Sequence, residues 1–141
     1  MMVRPLSHKA RGRQKYQARL RVAAAEVIGE PLASSRLYAK VLYLYRGRKA
    51  VGDADNLSKP VLGALKGLVY GDDAQVALRV AGIVNLDVDE YRLARDGMGG
   101  EPLSRLIEYL TLDCSQLDVL YVEVGLLDGL RLGVGLDLWE A

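Results

Sequence analysis

Residues 52–76 read GDADNLSKPVLGALKGLVYGDDAQV, and the order of residue types along them sets the fold. Asn56 can cap a helix that runs to about Leu68, with Leu57, Val61, Leu65 and Leu68 forming one apolar stripe at helical spacing. Pro60 then falls at the fourth helical position, where its missing N–H costs no intrahelical bond. Gly71, Asp72 and Asp73 make a return turn, and residues 76–86 open a strand in which Val76, Leu78 and Val80 alternate.

The flanking sequence extends this helix–turn–strand unit. Residues 37–45, LYAKVLYLY, read as a strand with Leu37, Ala39, Val41, Tyr43 and Tyr45 on one face and Tyr38, Lys40, Leu42 and Leu44 on the other. Both faces are partly apolar, which predicts a central position in a sheet. Residues 14–28 have the composition and spacing of a helix, ended by Gly29 and Pro31, that offers Arg13, Arg19 and Arg21 outward. Before it, residues 3–6 suit a short strand or an extended arm, and residues 1–13 form a basic arm. Residues 92–100 read as a polar loop, and Glu101 and Pro102 open a short helix carrying Leu103, Leu106, Ile107 and Leu110. Residues 119–127 make a last strand, and residues 133–139 a further edge strand or a tail. No repeat or linker interrupts this order. The fold class is α/β (α+β): one domain over residues 1–141, with a mixed sheet of about 3 to 5 strands packed with helices.

A length of 141 residues is that of one domain and argues against a separate cofactor module. Half of the residues are apolar and 26% charged, a globular rather than a disordered composition. Neither a membrane span nor a secretory leader is legible, so the cytoplasm is the expected compartment. Cys114 is the sole cysteine and excludes an intrachain disulfide or a cysteine metal knuckle.

The formal net charge of +1 conceals a strong asymmetry. Residues 1–49 hold twelve Lys and Arg against Glu26 and Glu30, a balance of +10, whereas residues 50–141 carry −9. A surface for a polyanion beside a site lined by carboxylates is one reading; mutual neutralisation across the fold is the other. Asp53 and Asp55 stand two apart, so in an extended chain both project to one side, about 6.6 Å apart. Caps and turns use paired Asp as well. The Gly71 turn can return Asp72 or Asp73 as a third carboxylate, although two acids in one turn do not easily face one ion and both suit a plain turn. All-oxygen donors select a hard ion, Mg²⁺ or Mn²⁺. Lys59 follows Asp55 by four residues, within one helical turn, and can contact a phosphate or the charge developing there. That combination suits phosphodiester hydrolysis.

The segment resembles the signature of the RusA family of Holliday junction resolvases, which has an Asp-x-Asp-Asn-(Leu/Ile)-x-Lys start and an Asp-Asp-x-Gln end. Asp53, Asp55, Asn56, Leu57 and Lys59 meet the first part, and Asp72, Asp73 and Gln75 the second. Lys59, Pro60, Val61, Leu62, Ala64, Leu65 and Gly67 follow the pattern that some members carry between them. The resemblance is close over residues 52–76, and the order of elements matches over most of the chain. It implies a small homodimeric endonuclease that cuts four-way DNA junctions with Mg²⁺, acts in recombination and repair, and needs no organic cofactor. By motif position, Asp53, Asp55 and Asp73 are the implied metal-binding catalytic acids, Asp72 a supporting one, and Lys59 the catalytic or phosphate-contacting cation. Two positions depart from the pattern: Gly63 stands where members often carry Asp, and Gly52 where some carry a basic residue, a charge that Arg48 or Lys49 would supply from farther back. Two other functions fit the same residues: a junction-binding protein that does not cut, and a metal-dependent nuclease for another nucleic-acid structure.

Lys9, Arg11, Arg13, Lys15 and Arg19, with Arg46, Arg48 and Lys49 in the loop after the central strand, form the DNA-contact group, touching phosphates rather than bases. Each alone also reads as a solvated side chain. His8 lacks a partner for catalysis, and Cys114 reads as a small core residue. Tyr38, Tyr43 and Tyr45 suit stacking on bases, sheet packing or a dimer contact, and Tyr70 suits packing that orders the acidic turn. Leu126, Leu127, Leu130, Leu132 and Leu136 either form a dimer seam or complete the core.

Overall fold

A ten-residue strand, β1 (Leu37–Arg46), organises the computed structural model, which describes residues 11–32, 35–50, 52–91 and 100–127. Its alternation buries Leu37, Ala39, Val41 and Tyr43 on one face and Leu44 on the other. β2 (Val76–Asn85) pairs with it in parallel and β3 (Leu117–Leu126) antiparallel, in the order β2-β1-β3. The two-sided apolarity of residues 37–45 therefore marks the central strand.

Helices cover both faces. α1 (Arg13–Ala25) and α2 (Ala54–Leu65) lie over Leu37 and Val41, where Tyr16, Leu20, Val61, Ala64, Leu65 and Leu120 complete the main core. On the other face α3 (Gly100–Leu110) sets Leu106 and Leu110 against Leu44, Leu117 and Val119. α2 is the crossover that joins β1 to its parallel neighbour β2. The result is one compact α+β domain with a mixed sheet, as the sequence implied. Among the described residues, no helix is long and apolar enough to cross a membrane.

Several boundaries differ from those read in the sequence. α2 begins three residues earlier, because Asp53 rather than Asn56 is its cap: Asp53 Oδ1 accepts the Asn56 N–H at 2.8 Å. Pro60 is consequently inside the helix, so the Asn56 carbonyl loses the amide donor it would otherwise have. The helix stops at Leu65, since Lys66 is extended and Gly67 takes a positive φ of 80°. Leu68 thus lies beyond the helix, partly buried against the core. α1 ends at Ala25, three residues before the expected limit, where Val27 N–H turns tightly onto the Ala24 carbonyl. Arg21 is exposed as expected, but its guanidinium is engaged: it donates to the Ala64 and Lys66 carbonyls at 2.9 and 3.0 Å and closes the C-terminal end of α2. In β2, Val80 is exposed although its alternation suggested a buried face. β3 starts at buried Leu117, two residues early, and Gly100 opens α3 rather than ending a loop. The expected first strand at 3–6, the loop at 92–99 and the last edge strand at 133–139 lie outside the described residues.

Candidate active site

The first turn of α2 carries the site. Asp53 accepts the Asn56 backbone N–H on Oδ1 and the Asn56 side-chain amide on Oδ2 at 3.0 Å. Asp55 is the second residue of the helix, so it is helical while Asp53 is extended, and the projection expected of two extended residues does not arise. Lys59, one turn on, places Nζ 2.5 Å from Asp55 Oδ2. Arg79, on the β2 face that α2 covers, places Nη2 2.6 Å from Asp55 Oδ1. Each carboxylate oxygen therefore has its own cation. The Lys59 hydrogen bond, aided by Arg79, holds the Asp55 carboxyl below its ordinary value of 3.8 despite a smaller opposing effect of burial.

The acidic turn is a separate construction. Asp72 caps a short 3₁₀ helix (Asp73–Gln75), accepting the Ala74 N–H at 3.1 Å. Gln75 reaches back to accept the Gly71 and Asp72 N–H groups at 2.8 and 3.0 Å. Its amide nitrogen donates to the Leu32 and Ser35 carbonyls, both at 3.2 Å, and pins the turn to the segment before β1. Tyr70 is buried and donates to the Leu62 carbonyl at 2.9 Å, the packing role read in its sequence position. Burial, then the nearby Asp73 charge, pushes its phenol up to about 12. Asp73 itself is exposed and lies 3.1 Å from Lys66 Nζ. Lys66 caps the far end of α2, a helix of 12 residues and so about 18 Å long. Asp53 and Asp55 share one helix start, while Asp72 and Asp73 stand on this turn; among the described residues no three Asp, Glu, His or Cys side chains form a group that could hold a metal ion.

The basic residues divide by role. Arg11, Lys15 and Arg19 are exposed on and just before α1, and Arg13 is half-buried at its first position. Arg48 and Lys49 are exposed in the loop that leads from β1 to Asp53. Arg46 instead bonds to the Leu112 and Leu110 carbonyls at 2.9 and 3.4 Å and pairs with Asp87 at 3.4 Å, closing the end of α3. Lys9 and His8 lie outside the described residues. Cys114 is partly buried against the second core cluster, as its sequence context suggested.

Sequence reasoning missed three features. Arg79 sits in an otherwise apolar strand, VALRVAGIVN, and its lone charge was the available signal. Tyr43 stacks on Tyr45 with ring centroids 5.5 Å apart; its hydroxyl donates to Asp118 and accepts the buried Ala50 N–H at 2.9 Å. Tyr38 and Tyr121 both donate to Glu123 at 2.5 Å, with Lys40 Nζ 3.7 Å from the same carboxylate. Burial favours the neutral acid, but those two hydrogen bonds and Lys40 hold Glu123 below the usual carboxylate range.

The crossover helix of this small α+β domain starts on two aspartates and a lysine, and an Asp-Asp-x-Gln turn follows it. The family model for endodeoxyribonuclease RusA matches residues 2–88, well over half of the chain, and the protein belongs to the RusA family. Membership supports Holliday junction endonuclease as its general activity and junction DNA as its class of substrate. No curated protein and no solved structure gives a significant match to the chain.

Proposed function

We propose that this protein is a divalent-metal-dependent resolvase that hydrolyses phosphodiester bonds at four-way DNA junctions. Asp55 carries the reading: an ionised carboxylate at a helix start, flanked by two cations and open to solvent. Its oxygens and those of Asp53 are hard donors that fit Mg²⁺, with Mn²⁺ as a substitute. These two acids would hold the ion, with Asp73, or Asp72 beside it, as the further ligand. When bound, the ion would polarise a phosphate oxygen and lower the pKa of a water molecule. Lys59 contacts the scissile phosphate and offsets the charge that grows on it. Lys9, Arg11, Arg13, Lys15 and Arg19, with Arg48 and Lys49, hold the junction arms through phosphates, whereas Arg46 is committed to the end of α3. A homodimer would present two sites to opposed strands, and no organic cofactor takes part.

One observation favours a second reading, a junction-binding protein that does not cut: Asp73 is paired with Lys66 rather than grouped with Asp53 and Asp55. Strand-resolved cleavage of a mobile and an immobile four-way junction in Mg²⁺, Mn²⁺ or EDTA separates the two, with Asp55→Asn as control. Paired metal-dependent nicks lost in Asp55→Asn support the resolvase. Binding without nicks in every metal supports the alternative, and equal cleavage of flaps or single strands removes the junction preference.

A further inference from the structure

We propose that Arg79 is a substrate-released latch on Asp55: it occupies one carboxylate oxygen until a DNA phosphate draws it away and opens that oxygen to the divalent ion. This rests on the metal-dependent reading above. A metal ligand must offer a lone pair, and in this structure Lys59 engages Oδ2 while Arg79 engages Oδ1. Each oxygen keeps a second lone pair, so an ion can bind beside these hydrogen bonds, but it does so against the repulsion of both cations. The two differ in what can move them. Lys59 belongs to the same helix and travels with Asp55, whereas Arg79 comes from β2, 24 residues away, and is tied to the site through its side chain.

Arg79 is also the better phosphate ligand. Its planar fork matches two phosphate oxygens, which a lysine ammonium cannot do. With Asp53 at the same helix start, two carboxylates and two cations balance, so a phosphate meets no net repulsion and the part-exposed guanidinium offers it donors. An arriving phosphate takes the guanidinium and adds negative charge that favours the ion. Metal and DNA binding therefore help one another, reciprocally.

A purely structural role explains Arg79 less well. Leu57 already packs α2 onto the sheet beside Tyr43, Ala50 and Ile83. The Arg79 and Asp55 side chains are 41% and 48% exposed, and an exposed pair fastens two elements weakly.

The test measures Mn²⁺ affinity by electron paramagnetic resonance on the full chain, with and without a phosphorothioate four-way junction, subtracting the ion held by junction alone. Arg79→Met without DNA is expected to bind Mn²⁺ about two- to five-fold more tightly than the unmodified protein, the scale of one exposed ion pair. The junction should tighten Mn²⁺ binding by a similar factor in the unmodified protein and by less in Arg79→Met. Unchanged or weaker binding in Arg79→Met, or equal tightening by the junction in both proteins, overturns the latch. Arg79→Lys, which keeps the charge and loses the fork, should show the same loss of junction coupling, and serves if Arg79→Met does not fold. Asp55→Asn separates the two levels. If it binds Mn²⁺ like the unmodified protein, the metal reading fails; if it alone abolishes binding, only the latch does.

Discussion

Asp53 carries two duties that substitution can separate. As a cap it must accept the Asn56 N–H, the 2.8 Å bond that starts α2. As a proposed metal ligand it must carry a negative charge. Asn caps a helix about as well as Asp, whereas Ala does not and costs roughly 0.5–2 kcal/mol. Asp53→Asn should therefore keep its stability within about 0.5 kcal/mol, while Asp53→Ala loses about 1 kcal/mol. At this chain length each kcal/mol moves the thermal midpoint by roughly 3–5 °C. Both variants should lose Mg²⁺-dependent junction cleavage by a factor on the order of 100 or more, since an amide is a poor ligand for a hard ion. Urea unfolding followed by circular dichroism, beside strand-resolved cleavage, reads both duties in the same samples. Equal destabilisation of the two variants would refute the cap, and undiminished cleavage by Asp53→Asn would refute the ligand.

Three other perturbations follow from the geometry. Tyr43→Phe removes the acceptor of the buried Ala50 N–H and the donor to Asp118, and should cost about 1–3 kcal/mol in urea unfolding; a change under about 0.5 kcal/mol would show that the hydroxyl is not needed. Asp55 titrates below its ordinary 3.8, so the stability its pairing contributes is present above that value and fades as pH falls through the lowered one; in Lys59→Met an NMR titration of the carboxyl should move upward toward 3.8, and an unmoved midpoint would dismiss Lys59 as the main cause. A Cβ at Gly63 would meet Gln17 Nε2 at 2.9 Å, and that amide donates to the Pro60 carbonyl. Gly63→Ala should therefore gain its full helix propensity of about 1 kcal/mol only in a Gln17→Ala background, and a double-mutant cycle showing additivity would contradict the contact.

Periodic elements were legible because period and burial coincide in them: the stripe Leu57, Val61 and Leu65 and the alternation Leu37 to Tyr43 are buried, in the main core and in the smaller cluster of Tyr43, Ala50 and Leu57. Their ends were not, because several residues near the start of α2 can each cap a helix, and only the fold selects Asp53. Long-range partners escaped for a related reason. Arg79 follows Leu78 in a strand whose apolar alternation assigns it to the polar face, yet that face lies opposite Ala39, beneath α2. Nothing local announces this, since it depends on strand register and on where the crossover lands. Arg21 and Arg46 were likewise read as outward charges, whereas each ends on the bare carbonyls of a helix terminus.

The same non-local geometry bears on the acids themselves. α2 separates the start that carries Asp53 and Asp55 from Lys66, to which Asp73 is bound. The turn holding Asp73 is pinned by Gln75 to the segment before β1, so the Gln of the signature explains itself as a fastening rather than as chemistry. In this chain, then, the two halves of the signature are positioned by different anchors: the first by a helix cap, the second by a side-chain staple. Asp73 is paired with one lysine, whereas Asp55 stands between two cations. Asp55 and Asp73 are thus both engaged by positive side chains, from different elements of the fold.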